Sequence, residues 1–309
     1  MSKLSLAFVF PGQGAQYAGM GRELTENFAE AAAVFSQADQ IAGYKLSELC
    51  FTGPAEQLNK TEFAQPALLA TSLAAYEVVK KHGIKASMMA GLSLGEYSAL
   101  VAGGALSLAE ALPLVQTRGR LMQEAVPPGE GAMAAVVGLE PEQVKEACLQ
   151  TGGQVAIANY NCPGQLVISG AREAVMNAIA NIKANGGRAV PLAISVPSHS
   201  TLMSEAAARL EPHLAGINWQ EPAVPVVSNV NARENSATQF TALLVQQLFS
   251  PVLWEQSVRY MMEKVDYFIE IGPGSTLSGL IKKIDRNRVL GQVENLQSLT
   301  KMLEKVESL

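Results

Sequence analysis

Short apolar runs alternate along this chain with longer segments in which apolar residues recur every three or four positions. A short run bounded by Gly or Pro predicts a buried strand, and the longer spacing predicts a helix with one face packed on the core. Outside the middle of the chain, strands are predicted over 4–10, 88–90, 224–228 and 267–271. Helices are predicted over 23–38, 66–80, 107–123, 202–214, 241–248, 254–264 and 277–284. Alternating strands and helices indicate an α/β fold.

The pattern changes after Pro127-Pro128-Gly129. The following residues predict a strand over 131–139, a helix over 141–150, strands over 155–159 and 165–169, a helix over 171–184 and a strand over 188–195. This βαββαβ order is that of a ferredoxin-like unit. We therefore predict a small subdomain, residues 128–197, inserted into a larger α/β catalytic subdomain made of residues 1–127 and 198–309. Substrate is expected in the cleft between them, because domain interfaces are favoured ligand sites.

Composition excludes several classes of function. Hydrophobic residues make up 48% of the 309 residues and charged residues 17%, as in ordinary globular proteins. The formal net charge of −5 argues against a nucleic acid partner, which needs a basic face. No apolar run reaches roughly eighteen residues, so no membrane-spanning helix is predicted. Cys50, Cys148 and Cys162 form no Cys-x-x-Cys pair, which predicts reduced thiols in the cytoplasm and no metal site.

The first candidate for chemistry is the Gly-x-Ser-x-Gly motif at Gly91-Leu92-Ser93-Leu94-Gly95. It follows a predicted strand and begins a predicted helix that runs to about residue 101, the context of a nucleophile elbow. The glycines would let strand and helix backbones pass closely. Ser93 would be the nucleophile, and the free N–H of Leu94 at the helix N-terminus would stabilise an oxyanion. The alternative is a chance pentapeptide in a glycine-rich chain.

A glycine loop, Pro11-Gly12-Gln13-Gly14, follows the first predicted strand. It lacks the third glycine of a dinucleotide fingerprint, and the chain has no Gly-Lys-Ser/Thr phosphate loop. Because ligands of α/β sheets bind beyond the carboxyl ends of the strands, Gln13 could meet the elbow there and supply a second oxyanion donor. A surface-loop glutamine is the equal alternative.

Arg118 lies on the apolar side of the helix predicted over 107–123, whereas Arg120 points elsewhere. A guanidinium carried toward buried surface needs an anionic partner. That partner is either a structural Glu or Asp, or the carboxylate of a substrate, which the planar guanidinium binds with two hydrogen bonds. The residues alone leave both possibilities open.

A nucleophilic serine needs a general base, and the chain has three histidines. His82 lies in a charged turn and His213 lies beside Pro212 at a helix end, so both are expected to be solvated. His199 lies in a short loop between a strand and a helix, where catalytic groups are often mounted. His199 is therefore the predicted base, and no residue type indicates what orients it.

Six motifs occur along the chain in a characteristic order and spacing. They are Phe10-Pro11-Gly12-Gln13-Gly14, Gly91-Leu92-Ser93-Leu94-Gly95-Glu96-Tyr97-Ser98-Ala99-Leu100, Arg118-Gly119, Asn161-Cys162-Pro163-Gly164-Gln165, Ser195-Val196-Pro197-Ser198-His199 and Glu270-Ile271-Gly272-Pro273-Gly274. Together they resemble the malonyl-CoA:acyl carrier protein transacylase family along nearly the whole chain. The resemblance implies a hydrolase-like α/β subdomain with a ferredoxin-like insert, and a malonyltransferase of fatty acid biosynthesis. It implies no bound cofactor, a coenzyme A thioester substrate, and malonyl-CoA and acyl carrier protein as partners.

By motif position, the resemblance gives Ser93 as nucleophile, His199 as base and Arg118 as the clamp for the malonyl carboxylate. It gives the Gln13 side chain and the Leu94 N–H as the oxyanion hole. In the family a backbone carbonyl holds the histidine, and the segment 250–254 predicts Leu253 for that role.

The chain departs from many family members at Leu92, where histidine is frequent, and this puts fine selectivity or rate in doubt. The carrier proteins of such enzymes are acidic, as is this chain, so docking needs a local basic patch. The candidates are Arg188, Lys282, Lys283, Arg286 and Arg288, against the alternative of an ordinary solvated surface.

Other functions compete with this interpretation. A malonyltransferase acting in trans on a polyketide synthase has the same motifs. A serine thioesterase or other hydrolase would share the elbow, and a non-catalytic acyl-CoA-binding protein would bind without acylation of Ser93. The sequence does not give the oligomeric state, and a monomer is one of the options.

Overall fold

The protein is described by a computed structural model over residues 4–193 and 196–309. Its strands are β1 (Leu6–Phe10), β2 (Met88–Gly91), β3 (Gly131–Val137), β4 (Val155–Cys162), β5 (Gln165–Ala171), β6 (Arg188–Pro191), β7 (Val226–Val227), β8 (Tyr267–Ile271) and β9 (Val289–Val293). Its α-helices are α1 (Arg22–Asn27), α2 (Ala29–Ala42), α3 (Leu46–Thr52), α4 (Ala55–Leu58), α5 (Thr61–Lys81), α6 (Leu94–Ala102), α7 (Leu108–Glu124), α8 (Pro141–Leu149), α9 (Arg172–Ala184), α10 (Ser204–Ala215), α11 (Phe240–Gln247), α12 (Trp254–Met262), α13 (Thr276–Ile284) and α14 (Leu296–Glu307).

The larger sheet is parallel and has the strand order β7-β2-β1-β8-β9. All residues of β1 and β2 are buried, because helices cover both faces of the sheet. The register pairs Phe10 with Gly91, so β1 and β2 end side by side. The segments that follow these strands therefore meet at one edge of the sheet, where ligands of such sheets bind.

The smaller sheet is antiparallel, with the order β4-β5-β3-β6, and it packs against α8 and α9. Its core contains apolar residues from both layers, among them Val136, Ile168, Val175 and Ile182. This order confirms the predicted ferredoxin-like βαββαβ unit. The last predicted strand, 188–195, ends at Pro191, and its residues 194–195 lie outside the described residues. The subdomain limits 128 and 197 remain predictions.

The two sheets are joined near the site by backbone hydrogen bonds. The Tyr160 N–H donates to the Val252 carbonyl at 2.9 Å, and the Val252 N–H donates to the Ala158 carbonyl at 2.8 Å. Because these bonds attach β4 to the segment before α12, the small sheet is fixed beside the carboxyl edge of the large one.

Several predicted boundaries are wrong for local reasons. The helix predicted over 23–38 is two helices, because Phe28 adopts an extended conformation between α1 and α2. The helix predicted to begin at Pro66 begins at Thr61, and Pro66 lies inside it. The structure also contains α3, α4, β9 and α14, which the hydrophobic pattern did not single out.

Within the described residues, no helix combines the length and the apolar character needed to span a bilayer. The described residues also contain no group of three or more His, Cys, Asp or Glu side chains able to hold a metal ion.

Candidate active site

The nucleophile elbow joins β2 to α6 at Ser93, whose φ of 55° lies in the left-handed region. Close packing around it requires glycine at two positions. A Cβ on Gly95 would lie 2.0 Å from the carbonyl oxygen of Phe10, and a Cβ on Gly91 would lie 1.9 Å from the carbonyl carbon of Gly95. Strand and helix backbones are thus in direct contact, and Ser93 lies half-buried at the apex of the turn.

The hydroxyl of Ser93 faces His199. Ser93 Oγ lies 2.8 Å from His199 Nε2, and His199 Nδ1 lies 2.7 Å from the carbonyl oxygen of Gln247. Because a carbonyl only accepts hydrogen bonds, Nδ1 carries the proton, which leaves Nε2 as an acceptor for the serine hydroxyl. Burial, and after it the charge of Arg118, lowers the pKa of His199 to about 4. The imidazole is therefore neutral near pH 7, as a general base must be.

The prediction that the Leu253 carbonyl orients the histidine is wrong. That carbonyl accepts hydrogen bonds from the backbone N–H and the hydroxyl of Ser257, in the first turn of α12. Gln247, the last residue of α11, takes the predicted role through its backbone carbonyl. Leu253 lies close to Gln247 in the sequence, but its carbonyl already accepts hydrogen bonds in the first turn of α12.

The guanidinium of Arg118 lies next to the nucleophile and is buried. Nη2 donates to Ser93 Oγ at 3.1 Å and to Gln247 Oε1 at 2.9 Å, and Nη1 donates to Gln65 Oε1 at 2.8 Å. The guanidinium carbon also lies 5.4 Å from the centre of the Tyr97 ring. These acceptors are neutral, and Nε has no hydrogen-bond partner among the described residues. A buried cation that contacts no carboxylate directly among the described residues is suited to binding the carboxylate of a ligand.

Gln247 and Asn229 connect these groups, and the sequence analysis singled out neither. Gln247 Nε2 donates to the Ser93 carbonyl at 3.1 Å and to Glu96 Oε2 at 2.7 Å. Asn229 Oδ1 accepts from the Ser93 N–H at 2.6 Å, and Asn229 Nδ2 donates to the Gly91 carbonyl at 2.7 Å. Asn229 could have been predicted from the sequence, because it lies just after β7, and residues that follow the strands of such sheets line the ligand site. Gln247 lies in an apolar helix with no such signal.

The predicted oxyanion donors lie on either side of the same cavity as Ser93. Leu94 is the first residue of α6, where a backbone N–H has no partner within the helix. The Gln13 side chain lines the cavity, and its Nε2 donates to Thr61 Oγ1 at 3.1 Å. Because a primary amide has two N–H donors, Gln13 retains one that can point toward a bound carbonyl.

A cavity of about 240 Å³ opens onto Ser93 and lies between the two sheets. From the larger sheet and its helices it is lined by residues that include Gln13, Leu92, Ser93, Arg118, Met122 and His199. From the smaller sheet it is lined by Met133, Ala135, Asn159, Asn161, Gln165 and Val167. The wall is mainly apolar, with the charged Arg118 at one place, so the cavity suits a small acyl group that ends in an anion.

The candidate docking residues do not form one patch. Lys282 and Lys283 are exposed on α13, and Arg286 is exposed just after it. Arg288 donates to the backbone carbonyls of Val265 and Asp266 and so belongs to the local fold. The exposed Arg188 lies on β6, the edge strand opposite β4, whereas α13 packs against β4.

Lys283 contacts a residue that lines the cavity: its Nζ donates to Gln165 Oε1 at 2.6 Å. This contact places one of the candidate docking residues beside the cavity.

A serine on an elbow beside a neutral histidine is the arrangement with which α/β enzymes cleave or transfer acyl groups. The family described as Acyl transferase domain matches residues 7–302 of this chain. The malonyl CoA-acyl carrier protein transacylase of Bacillus subtilis (strain 168) is 49% identical over 292 residues, 93% of this chain and 92% of that protein. The corresponding protein of Escherichia coli (strain K12) is 48% identical over 284 residues, 90% of this chain and 92% of that protein.

Solved structures agree with the sequence relatives. The malonyl CoA-acyl carrier protein transacylase from Clostridium perfringens has a TM-score of 0.96 at 44% identity, with 98% of both chains covered. A malonyl-transacylase solved in complex with its type II PKS acyl-carrier protein has a TM-score of 0.94 at 45% identity, with 97% of this chain and 99% of that chain covered. This chain therefore belongs to the acyl transferase domain family and, within it, to the malonyl CoA-acyl carrier protein transacylases.

Proposed function

We propose that this enzyme transfers malonyl from malonyl-CoA to the phosphopantetheine thiol of an acyl carrier protein through a malonyl-serine intermediate. One observation carries the proposal: Ser93 Oγ lies within hydrogen-bond distance of both His199 Nε2 and Arg118 Nη2 at the base of one cavity. The first contact serves proton transfer, and the second brings a carboxylate-binding group to the reacting atom.

In the first half of the reaction, His199 Nε2 takes the hydroxyl proton as Ser93 Oγ attacks the thioester carbon. The Leu94 N–H and the Gln13 amide stabilise the oxyanion. The carbon–sulfur bond then breaks, and the leaving coenzyme A thiolate receives the proton from His199. The products are coenzyme A and an ester between malonate and Ser93, with Arg118 bound to the free carboxylate.

In the second half, the carrier's thiol gives its proton to His199 Nε2 and attacks the ester carbonyl. The Ser93 oxygen leaves and takes the proton back from His199. Malonyl is now a thioester on the carrier, and the enzyme has returned to its starting state. No net oxidation, water or cofactor enters this sequence of steps.

The carrier is proposed to be that of fatty acid synthesis. A polyketide synthase carrier is the second candidate, because the solved complex with a type II PKS acyl-carrier protein is as similar to this chain as the other relatives. Transfer rates from malonyl-enzyme to the two kinds of carrier, compared at equal concentration, separate these candidates. A cytoplasmic location, expected from the cysteines, belongs to the same proposal, and Cys50, Cys148 and Cys162 are unpaired and buried.

The intact mass of the enzyme after brief incubation with malonyl-CoA tests the mechanism. We expect one malonyl group on the wild type, none on Ser93→Ala, and one on Ser98→Ala. Ser98 is the matched control, because it lies in the helix that Ser93 precedes and its buried hydroxyl has no hydrogen-bond partner among the described residues. The adduct should persist until a thiol acceptor is added. An adduct that decays rapidly in water, or that forms equally from acetyl-CoA, would indicate a hydrolase. No adduct on the wild type would indicate a binding protein.

A further inference from the structure

A buried carboxylate lies three residues beyond the nucleophile and takes no part in the proposed proton transfers. Glu96, in the first turn of α6, is only 3% exposed. One of its oxygens, Oε2, accepts hydrogen bonds from Gln247 Nε2 at 2.7 Å and from the Asn229 N–H at 3.1 Å. Burying a carboxylate is costly, so its presence beside the site calls for a function.

Both partners of Glu96 hold the reacting groups. Gln247 accepts from Arg118 through its side-chain oxygen and from His199 through its backbone carbonyl. Asn229 accepts from the Ser93 backbone N–H. A single intervening residue, Gln247 or Asn229, thus connects the carboxylate to the nucleophile, to the base and to the carboxylate-binding arginine.

The charge of Glu96 selects one orientation of the Gln247 amide. A carboxylate only accepts, so it holds the NH2 end of Gln247 and leaves Oε1 facing Arg118. In the reversed orientation, Oε1 would face the carboxylate and the NH2 group would face the donors of Arg118. That reversal would also break the bond from Gln247 Nε2 to the Ser93 carbonyl. A protonated Glu96 could donate to Oε1 and would no longer add its own opposition to the reversal.

We propose that Glu96 is a positioning residue whose negative charge fixes the Gln247 amide and thereby holds Arg118 and His199 in place at Ser93. The inference rests on the proposed function, because it concerns the rate at which Ser93 is acylated. The ionised form of Glu96 supports fast acylation, and the neutral form holds Gln247 less firmly, with only the Ser93 carbonyl and Arg118 left to orient the amide.

The pH dependence follows from the groups that face Glu96. The charged and ionisable side chains near Glu96 are Arg118 on α7 and Tyr97 on α6. Its neutral neighbours are Asn229, Ser228 and Gln247. Burial raises the pKa of Glu96 to about 7, against the opposing effects of these hydrogen bonds and of Arg118. His199, with a pKa lowered to about 4, titrates well below that range. Acylation by the wild type should therefore slow as the pH falls through about 7.

The decisive variant is Glu96→Gln, which can keep an oxygen in the place of Oε2 but removes the charge. The matched control is Glu270→Gln. Glu270 is equally buried, has a pKa that burial raises to about 7, and accepts from the N–H groups of Leu277 and Ser278 at the start of α13. Both substitutions disturb a buried carboxylate, but only the first is in contact with Gln247.

The experiment measures single-turnover formation of the malonyl-enzyme between about pH 5.5 and 8.5. The donor is malonyl N-acetylcysteamine, which has no phosphate groups, and its carboxyl remains ionised because such groups have a pKa near 4. Above pH 7.5, Glu96→Gln should be slower by roughly tenfold, the order expected when a charge-assisted hydrogen bond becomes a neutral one. Its rate should not fall further at low pH, whereas Glu270→Gln should follow the wild-type profile.

Each outcome of this experiment either supports or overturns one of the two proposals. A folded Glu96→Gln enzyme with the wild-type rate and profile overturns the role of Glu96 while malonyl-serine formation stands. If that variant does not fold, a wild-type rate that is constant from pH 5.5 to 8.5 overturns it equally. If the wild type forms no adduct at any pH, the proposed function fails first. A wild-type decrease below pH 7 that Glu96→Gln abolishes and Glu270→Gln retains supports the role.

Discussion

At the scale of single residues, the group proposed to bind the carboxylate, Arg118, and the proposed nucleophile, Ser93, share a hydrogen bond. Arg118 Nη2 donates both to Ser93 Oγ and to Gln247 Oε1. A malonyl carboxylate would compete with these neutral acceptors and win, because bonds between ions are the stronger ones. In the proposed mechanism, substrate binding thus draws Arg118 away from Ser93 Oγ, whose hydroxyl already donates to His199 Nε2, and an acyl group without a carboxylate gains no such contact.

Substitution of Arg118 by Ala should therefore reduce the discrimination between acyl groups more than it reduces the rate of acyl transfer. We expect the ratio of kcat/KM for malonyl-CoA to that for acetyl-CoA to fall by about a hundredfold, since two charge-assisted hydrogen bonds are lost. Arg120→Ala is the matched control, because Arg120 lies on the exposed side of the same helix. A ratio that stays high in Arg118→Ala would contradict the proposed clamp.

Sequence and structure agree unevenly at this scale. A motif with a known steric requirement marked Ser93, and elimination among three histidines marked His199. The two possible partners of Arg118 could not be separated from sequence, and in the structure its acceptors are neutral side chains. Gln247 could not be predicted, because its role uses a backbone carbonyl and an amide placed by the packing of α11, and neither depends on a local pattern.

At the scale of elements, the site depends on the contact between β1 and the start of α6. The helix begins so close to the strand that a Cβ on Gly95 would overlap the backbone of Phe10. The obstacle is backbone rather than a flexible side chain, so strand and helix would have to separate. Any such movement displaces Ser93 and the Leu94 N–H together.

Gly95→Ala should accordingly lower the free energy of unfolding by about 3 kcal/mol, the upper part of the range for overpacked cores. Gly279→Ala is the control, since Gly279 lies in α13 and a Cβ there would meet nothing within 4 Å. That change should stabilise the protein by roughly 0.5–1 kcal/mol, because alanine loses less entropy in a helix. Urea denaturation measures both. Equal stability of the two variants would show that β1 and α6 can move apart at the elbow without a loss of stability.

Element type was predictable where the apolar period was regular, and boundaries were not. The buried run of β8 was predicted at its observed limits, Tyr267–Ile271, because a parallel central strand needs continuous apolar residues. The division of the first long helix at Phe28 was not predictable, because the same residues suit either arrangement and tertiary contacts decide between them.

At the scale of the whole molecule, net charge and local charge act in opposite directions on carrier docking. The enzyme has a formal net charge of −5, so an acidic carrier is repelled at long range. Lys282 and Lys283 lie on the exposed side of α13, and Lys283 contacts the cavity-lining Gln165. We therefore propose that the carrier docks on these two residues.

The double charge reversal Lys282→Glu with Lys283→Glu should raise the KM for carrier by roughly tenfold. It should leave malonyl-serine formation from malonyl N-acetylcysteamine unchanged, because rim charges act on the encounter with a charged partner rather than on chemistry. The increase should shrink at high salt, which screens exposed charges. Lys301→Glu is a control with half of that charge change: α14 packs on the face of the large sheet opposite α13, so the net charge changes without altering the cavity rim. Arg188→Glu probes the opposite edge strand in the same assay. An effect at Arg188 with none at α13 would move the docking surface to the far side of the small sheet.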